Sequence, residues 1–444
     1  MDSSLPRPRI PVIIDTDPGV DDIIAIHFSA HRIFWQVSRR YVNYEPEFGL
    51  SAGNTDVDAS YRNILKMYQA IERQIEKYPE DAKRFHNFTP EKRIKLARGC
   101  EGPIEGELHS AQYFHGRDGL GGITDRHPDL NVQFEAGQAH PQLEISSAHG
   151  VDVVLDLLRS HPPRSITYIV LGPMTNLARM MMKDGETVRE RIGRIVCMGG
   201  AIDVPGNTTP TAEFNYFADP YAVKELLLSD KSALHLPLDR FLLVPLDLTT
   251  PHELPFPAYK QAVDPAFQSV STALSDGSTK PPVAHFTSAF LERTREIMLG
   301  YGKDAMELHD IVAVWCAMEN PPVRGDQEGN ALSPGWSVLR RIFDIERTGE
   351  LTRGMLVVDR RDDQTAYAPG ANRAEVQKQL DSLGVPHKPW ESIAVPAQVE
   401  VEHEPHDFMN TQRGVWCVTS TPGPRALLQL LLHRVWGVEL EASR

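Results

Sequence analysis

The sequence predicts an α/β protein with an open, mostly parallel central sheet flanked by helices. Three observations carry that expectation. Short apolar runs alternate with amphipathic stretches through most of the 444 residues. Runs such as SITYIVLG and RIVCMGG are continuously apolar rather than alternating, as strands covered on both faces must be. The first apolar run ends in four crowded aspartates, Asp15, Asp17, Asp21 and Asp22, at the place where an open parallel sheet presents its ligand crevice.

Taken in order, IPVIID reads as a strand and IIAIHFSA as the helix after it. TDVDASYRNILKMYQAIERQI places Ile64, Leu65, Tyr68 and Ile71 at helical spacing. The charged stretch EKYPEDAKRFHNFTPEKRIK reads as a surface insertion. HGVDVVLDLLRS is a helix with Val151, Val154, Leu155 and Leu158 on one side, and SITYIVLG is a strand stopped by Gly172-Pro173. MTNLARMMM restarts helix and RIVCMGG is the next strand. YAVKELLLS is a helix that Asp219 caps and Pro220 opens. FLLVPLD, a helix over Ile311–Met318, a strand at GMLVVD and a helix in PRALLQLLLHRVW complete the series. DPAFQSVSTALSDGSTKPPVAHF, rich in Gly, Ser and Pro, reads as a lid over a site, and VPAQVEVEHEPHDFMNTQRG as an acidic loop.

These elements give one domain over 1–444, with surface insertions near 75–100 and 260–300 and an atypical segment at 31–50. In that segment, HRIFWQVSRRYVNYEPEFGL, the apolar residues are scattered and Pro46 interrupts them, which leaves the second strand, and with it the placement of Asn54, open. Composition is that of a globular protein, 41% hydrophobic and 24% charged. A net charge of −14 and a pI near 5.7 argue against a nucleic-acid partner. No apolar run is long enough to cross a bilayer, and MDSSLPRPRIPVIID lacks a signal-peptide core. Cys100, Cys197, Cys316 and Cys417 form no CxxC pair, which fits a reducing, cytoplasmic setting.

Crowding carboxylates costs stability, and a hard divalent cation with oxygen ligands offsets that cost. The acidic run therefore points to a metal site. Asp21 and Asp22 also suit the first turn of a helix, where the backbone dipole favours negative charge. Glu213-Phe214-Asn215, with Asn207 before it, offers a carboxylate and two amides for a polyhydroxylated ligand. His309-Asp310 precedes the apolar helix IVAVWCAM; Asp310 is either that helix's cap or a distant carboxylate closing the metal site. Glu402-His403-Glu404-Pro405-His406 imitates a zinc helix, but Pro405 breaks it and a solvated loop is expected. His115 to Gly122 is glycine-rich without a following apolar helix, so it reads as a cleft wall rather than a phosphate cradle.

Together IIDTDPGVDD, SAGN, FHGRDGLGG, VLGPMTNLA, IVCMGGA, AEFNYFADP and LHD resemble, in content and order, the inosine–uridine-preferring nucleoside hydrolases, in their fungal-type branch. The resemblance implies the nucleoside hydrolase fold and calcium-dependent cleavage of ribonucleosides to ribose and free base. It implies a Ca2+ ion bound by Asp17, Asp22, Asp310 and the carbonyl of Leu171, with Asp17 removing a proton from the attacking water. Asp21, Asn54, Glu213 and Asn215 are similar to residues that hold the ribose hydroxyls, and Asn207 to the one on the 5′-hydroxyl side. Met198 resembles part of the ribose wall and His309 the histidine near the leaving base, with Asp15 supporting the site from behind. A small-molecule nucleoside is the implied partner, and a homodimer or homotetramer the implied assembly.

Two other readings compete. A haloacid-dehalogenase-like phosphatase also ends its first strand in Asp-x-Asp beside magnesium, but it leaves AEFN and LHD without a role. A calcium-binding pseudoenzyme without activity would follow if the atypical 31–50 segment displaced Asn54.

Overall fold

The computed structural model describes residues 9–30, 43–85, 88, 93–132, 140–229, 232–272, 274–322, 332–360, 382 and 414–439. The chain opens with β1 (Arg9–Thr16), α1 (Val20–Ser29), β2 (Asn43–Leu50), α2 (Val57–Lys77), β3 (Ile94–Arg98), α3 (Gln112–His115), α4 (Ile123–Arg126) and β4 (Leu143–Ile145). Next come α5 (Gly150–Ser160), β5 (Ile166–Val170), α6 (Thr175–Arg191), β6 (Ile192–Met198), α7 (Phe214–Ala218), α8 (Pro220–Val223), β7 (Phe241–Val244) and α9 (Leu246–Thr249). A ribbon of β8 (Glu253–Pro255) and β9 (Ala305–Glu307) brackets α10 (Phe256–Ala262) and α11 (Pro282–Gly300), and α12 (His309–Glu319) follows it. The remaining strands are β10 (Ser337–Arg341), β11 (Asp344–Ile345), β12 (Leu356–Val357) and β13 (Val415–Ser420).

Nine strands make one sheet in the order β10-β13-β7-β6-β5-β1-β2-β3-β4. Every pairing in it is parallel except that of the edge strand β10 with β13. Side chains alternate across β1: Val12 and Ile14 join a core with α1, α2, α11 and α12, while Ile13 joins the opposite core with α5 and α6. The chain leaves β1 outward to β2, β3 and β4, then returns to β5 on the other side of β1. That reversal leaves a crevice at the carboxyl end of β1, flanked by α1 and the loops after β2 and β5.

The helical stripes form as their spacing requires. Ile64, Leu65, Tyr68 and Ile71 are buried along α2, each contributing about 2 kcal/mol by removal from water. Asp56 caps α2 by accepting the Ala59 N–H at 2.7 Å. Val151, Val154, Leu155 and Leu158 are buried along α5. Asp219 accepts the Ala222 N–H at 3.0 Å, and Pro220 opens α8. A helix over Pro424–Leu431 runs on into a wider helical turn over Leu432–Trp436 near the end of the described chain.

Several expectations are resolved or corrected. The second strand does form: Asn43–Leu50 pairs in parallel with β1, and Phe48, Gly49 and Leu50 also pair with β3. Sheet pairing on both sides overrides the weak local pattern. Residues 31–42 of the atypical segment lie outside the described residues, as does all of the acidic loop 395–414 except Gly414, including the histidines at 403 and 406. The insertion near 75–100 is more than surface: Phe85 is fully buried and Ile94–Arg98 is a sheet strand. Flanking charges mask its buried Ile94 and Leu96. Near 260–300, Pro282–Gly300 is a helix with Val283, Phe286, Ala289 and Phe290 buried, so the supposed lid continues into core. GMLVVD yields only Leu356–Val357, paired with β11 outside the main sheet. The strands at Ser337–Arg341 and Val415–Ser420 carried no expectation.

Candidate active site

The acidic run occupies the crevice. β1 stops at Thr16 and α1 starts at Val20, so Asp17 lies in the crossover and Asp21 and Asp22 in the first helical turn. Asp22 is fixed by three donors: Thr16 Oγ1 at 2.6 Å, the Gly19 N–H at 3.1 Å and Asn54 Nδ2 at 2.8 Å. Asp310 stands in the first turn of α12, whose cap position is Leu308, so it is not the helix cap. Carboxylate oxygens of Asp21, Asp22 and Asp310 lie within 4.8 Å of one another. Asp17 adjoins this trio without being part of it. Its Oδ2 accepts the Asn54 N–H at 2.7 Å, while its buried Oδ1 has no hydrogen-bond partner. Two glycines make room for it: a Cβ would sit 2.0 Å from Asp17 Oδ2 at Gly53 and 2.7 Å from Oδ1 at Gly172.

Burial makes the carboxyls of Asp17, Asp21 and Asp310 costly to ionise without a cation. Burial, then the charge of Asp22, pushes Asp17 well above the usual carboxylate range against the Asn54 N–H. Burial, then the neighbouring Asp21, Asp22 and Asp17, push Asp310 up as well, and its hydrogen bond to Asp22 adds to the rise. Burial and Asp22 raise Asp21 to about 7. An all-oxygen donor set, an orphaned buried oxygen and this strained charge together fit a hard divalent cation.

Above the trio opens a cleft of about 430 Å³ whose walls include Asp21, Asn54, Leu171, Met198, Asn207, Glu213, Asn215, His309 and Asp310. Glu213 caps α7: it accepts the Asn215 N–H at 2.8 Å, the Tyr216 N–H at 3.1 Å and the Gly200 N–H at 2.8 Å. Burial still holds its carboxyl above the usual range. Asn215 Nδ2 donates to the Leu171 carbonyl at 2.6 Å and lies 3.4 Å from that of Met198. Asn207 Oδ1 accepts the Phe214 N–H at 2.9 Å. His309 is held from both sides, with Nδ1 2.7 Å from Thr249 Oγ1 and Nε2 3.0 Å from Glu307. Burial opposes its charge, but the Glu307 bond and the surrounding carboxylates outweigh burial and raise its pKa.

Asp15 points away from the cleft. It accepts from Tyr168 Oη at 2.8 Å and Asn176 Nδ2 at 2.7 Å, tying β1 to β5 and α6. Burial raises it to about 7. Sequence reasoning missed Thr16, Glu307 and the role of His115. Thr16 stood inside the acidic motif and Glu307 two residues before His309, but only contacts reveal their work. His115 Nδ1 accepts the Val20 N–H at 3.1 Å, capping α1, and burial lowers its pKa to about 4. The glycine-rich loop after it winds around Asp118, which accepts from the N–H groups of Leu120, Gly122 and Thr124. The 264–286 segment does not line this cleft. Leu274, Ser275, Asp276, Gly277 and Ser278 line another, so the lid expectation fails for this site.

Comparison with known proteins agrees with this arrangement. The family model "Inosine-uridine preferring nucleoside hydrolase" matches residues 12–385. An inosine-uridine preferring nucleoside hydrolase of Leishmania major is 27% identical over 355 residues, covering 78% of this chain and 87% of its own. A pyrimidine-specific ribonucleoside hydrolase RihA of Enterobacter sp. is 30% identical over 79% of this chain and 88% of its own. A fungal relative, an uncharacterised protein of Schizosaccharomyces pombe, is 29% identical over 78% of this chain and 88% of its own. Among solved structures, a plant nucleoside hydrolase superposes with a TM-score of 0.59 at 19% identity, covering 97% of this chain and 99% of its own, which speaks for the fold. The phosphatase reading is not favoured. The chain belongs to the inosine-uridine preferring nucleoside hydrolase family.

Proposed function

We propose that this chain hydrolyses the N-glycosidic bond of ribonucleosides, giving ribose and free base, with calcium held by Asp17, Asp22, Asp310 and the Leu171 carbonyl, and Asp21 beside them. The observation that carries the reading is the convergence of Asp21 and Asp22 with the sequence-remote Asp310 on the floor of a cleft lined by amides and Glu213. A bound calcium ion supplies positive charge that polarises water and orients vicinal hydroxyls.

The rest is done by side chains. Asp17 presents its unpartnered Oδ1 and accepts a proton from the attacking water. The hydroxyl adds to C1′ and keeps the water's second proton as the new O–H while the C–N bond breaks. The departing base takes the C–N electron pair and a proton from solvent, and Asp17 returns its proton to solvent, so one water is consumed in sum. Positive charge spreads over the sugar ring and is stabilised by the surrounding carboxylates. Asp21, Asn54, Glu213 and Asn215 hold the ribose hydroxyls, Asn207 guards the 5′ side and Met198 packs against the sugar. His309 brings cationic charge to the leaving base. Its ring nitrogens are engaged by Thr249 and Glu307, so donating a proton requires exchanging Glu307 for the base.

One feature bears on the pseudoenzyme reading. β2 forms and Asn54 reaches Asp17 and Asp22, which weighs against that reading. Incubation with inosine, uridine and p-nitrophenyl phosphate tests the activity. Reducing sugar from the nucleosides is expected, and phosphate release without ribose release would overturn the proposal.

A further inference from the structure

We propose that His127, Asp129 and His285 form a second metal site, separate from the acidic cleft, that takes a borderline divalent cation such as zinc. One ligand atom from each lies within 4.8 Å of the others. His127 and Asp129 belong to the turn after α4, and His285 to the first turn of α11.

Both imidazoles are already oriented as ligands need to be. His285 Nδ1 lies 3.1 Å from Ser275 Oγ, which turns Nε2 to 2.9 Å from Asp129 Oδ2. His127 Nε2 lies 3.3 Å from the buried carboxylate of Glu292. Among the described residues His127 Nδ1 has no hydrogen-bond partner, although the side chain is only 3% exposed. Each ring thus has one nitrogen steadied by an outer oxygen, the usual support of a metal-bound histidine.

The charges facing the site are accounted for. Arg126 is 3.2 Å from Glu292, donates to the carbonyls of Ala289 and Gly121, and has one guanidinium nitrogen 3.4 Å from His127 Nε2, the ring nitrogen that faces Glu292 rather than Nδ1. Lys66 donates to Thr124 Oγ1 and Arg73 to the Asp129 carbonyl. Lys280 is paired with Asp264 at 2.6 Å. Lys66, Arg73 and Lys280 are turned onto protein oxygens and Arg126 keeps to the Nε2 side of His127, and a cleft of about 460 Å³ leaves room for a water as fourth ligand. Two nitrogens and one oxygen suit zinc, and select against calcium, which takes six or more oxygens. An occupied site would clip the α4 turn to α11, whose far end supplies Met298 to the acidic cleft.

The test uses tag-free, full-length protein with the acidic cleft saturated with calcium. Zinc is titrated by calorimetry, and retained metal is counted after gel filtration. The expected result is one zinc per chain, with affinity falling at least about tenfold in His127→Ala, His285→Ala and Asp129→Asn. Cobalt(II) in place of zinc should give the visible absorption of a four-coordinate site, lost in the same variants. Should a histidine variant fail to fold, Asp129→Asn decides, because that carboxylate is 60% exposed. Absence of bound zinc, or zinc affinity unchanged in Asp129→Asn, would overturn the site and leave the three residues as a hydrogen-bonded group.

Discussion

The two clefts gather three ligating side chains each, yet by opposite physics. In the acidic cleft every donor is an oxygen of a carboxyl group, Asp22 and Asp310 are buried, and the groups repel. In the histidine cleft two rings hydrogen-bond to neighbouring oxygens, and Asp129 faces solvent. The first leaves Asp17 Oδ1 unpartnered beside carboxyls that repel; the second is largely satisfied by its own hydrogen bonds, with His127 Nδ1 left over among the described residues. A strongly coupled, activity-bearing ion therefore belongs to the first, and at most a structural clip to the second.

The largest expected effect falls on Asp17, which is proposed as both calcium ligand and proton acceptor. Asp17→Ala should lower ribose release at least about 10³-fold, since it removes the acceptor of the water proton. Turnover equal to the parent protein would refute the assignment of Asp17. Next, Asp310→Asn removes the remote carboxylate from the trio, and calorimetry should register a calcium affinity weaker by at least about tenfold. Unchanged affinity would mean that the acidic run binds the ion without α12.

A pH series sharpens the contrast further. In the metal-free chain Asp21 and Asp15 titrate near 7, above their unfolded values, so the folded form holds protons that the unfolded chain has released. Their stabilising contribution is complete below about pH 4 and is lost as pH rises through about 7. Buried His27, His115 and His140, lowered to about 3, about 4 and about 4, work the other way and lose stability as pH falls below the usual histidine value. Subtracting melting curves with and without calcium isolates the carboxylates. The calcium-induced rise in Tm should be larger at about pH 8 than at about pH 5.5, because binding displaces protons. A rise independent of pH would contradict the raised carboxyl values. The smallest effect is that of Thr16→Val, which unpairs Asp22 Oδ1 and should cost about 1–3 kcal/mol of stability by denaturant unfolding. No change would show that Asp22 finds another donor.

The sheet's centre was legible in the sequence because strands covered on both faces must be continuously apolar. IPVIID, SITYIVLG, RIVCMGG and FLLV all lie there, as β1, β5, β6 and β7. Its flanks were not. β2 carries Pro46, β3 hides between Arg93 and Arg98, and β10 is an edge strand with Arg340 and Arg341. Such strands are specified by their neighbours more than by their own pattern. The site divided in the same way. Asp17, Asp21 and Asp22 announced themselves by crowding, whereas Asp310 and His309 needed the resemblance to connect them to that knot. Glu307 and Thr249, which hold His309, carry no sequence signal at all. The histidine cleft was invisible because His127 and His285 are far apart in the chain and Asp129 resembles any surface aspartate.

The central claim is that one ion gripped by the acidic knot and Asp310 enables nucleoside cleavage. Its most direct test is ribose release from inosine and uridine by the same preparation before chelation, after removal of divalent cations, and after calcium is restored. The account predicts that release disappears with the cation and returns with calcium. Steady release from fully chelated protein would contradict it.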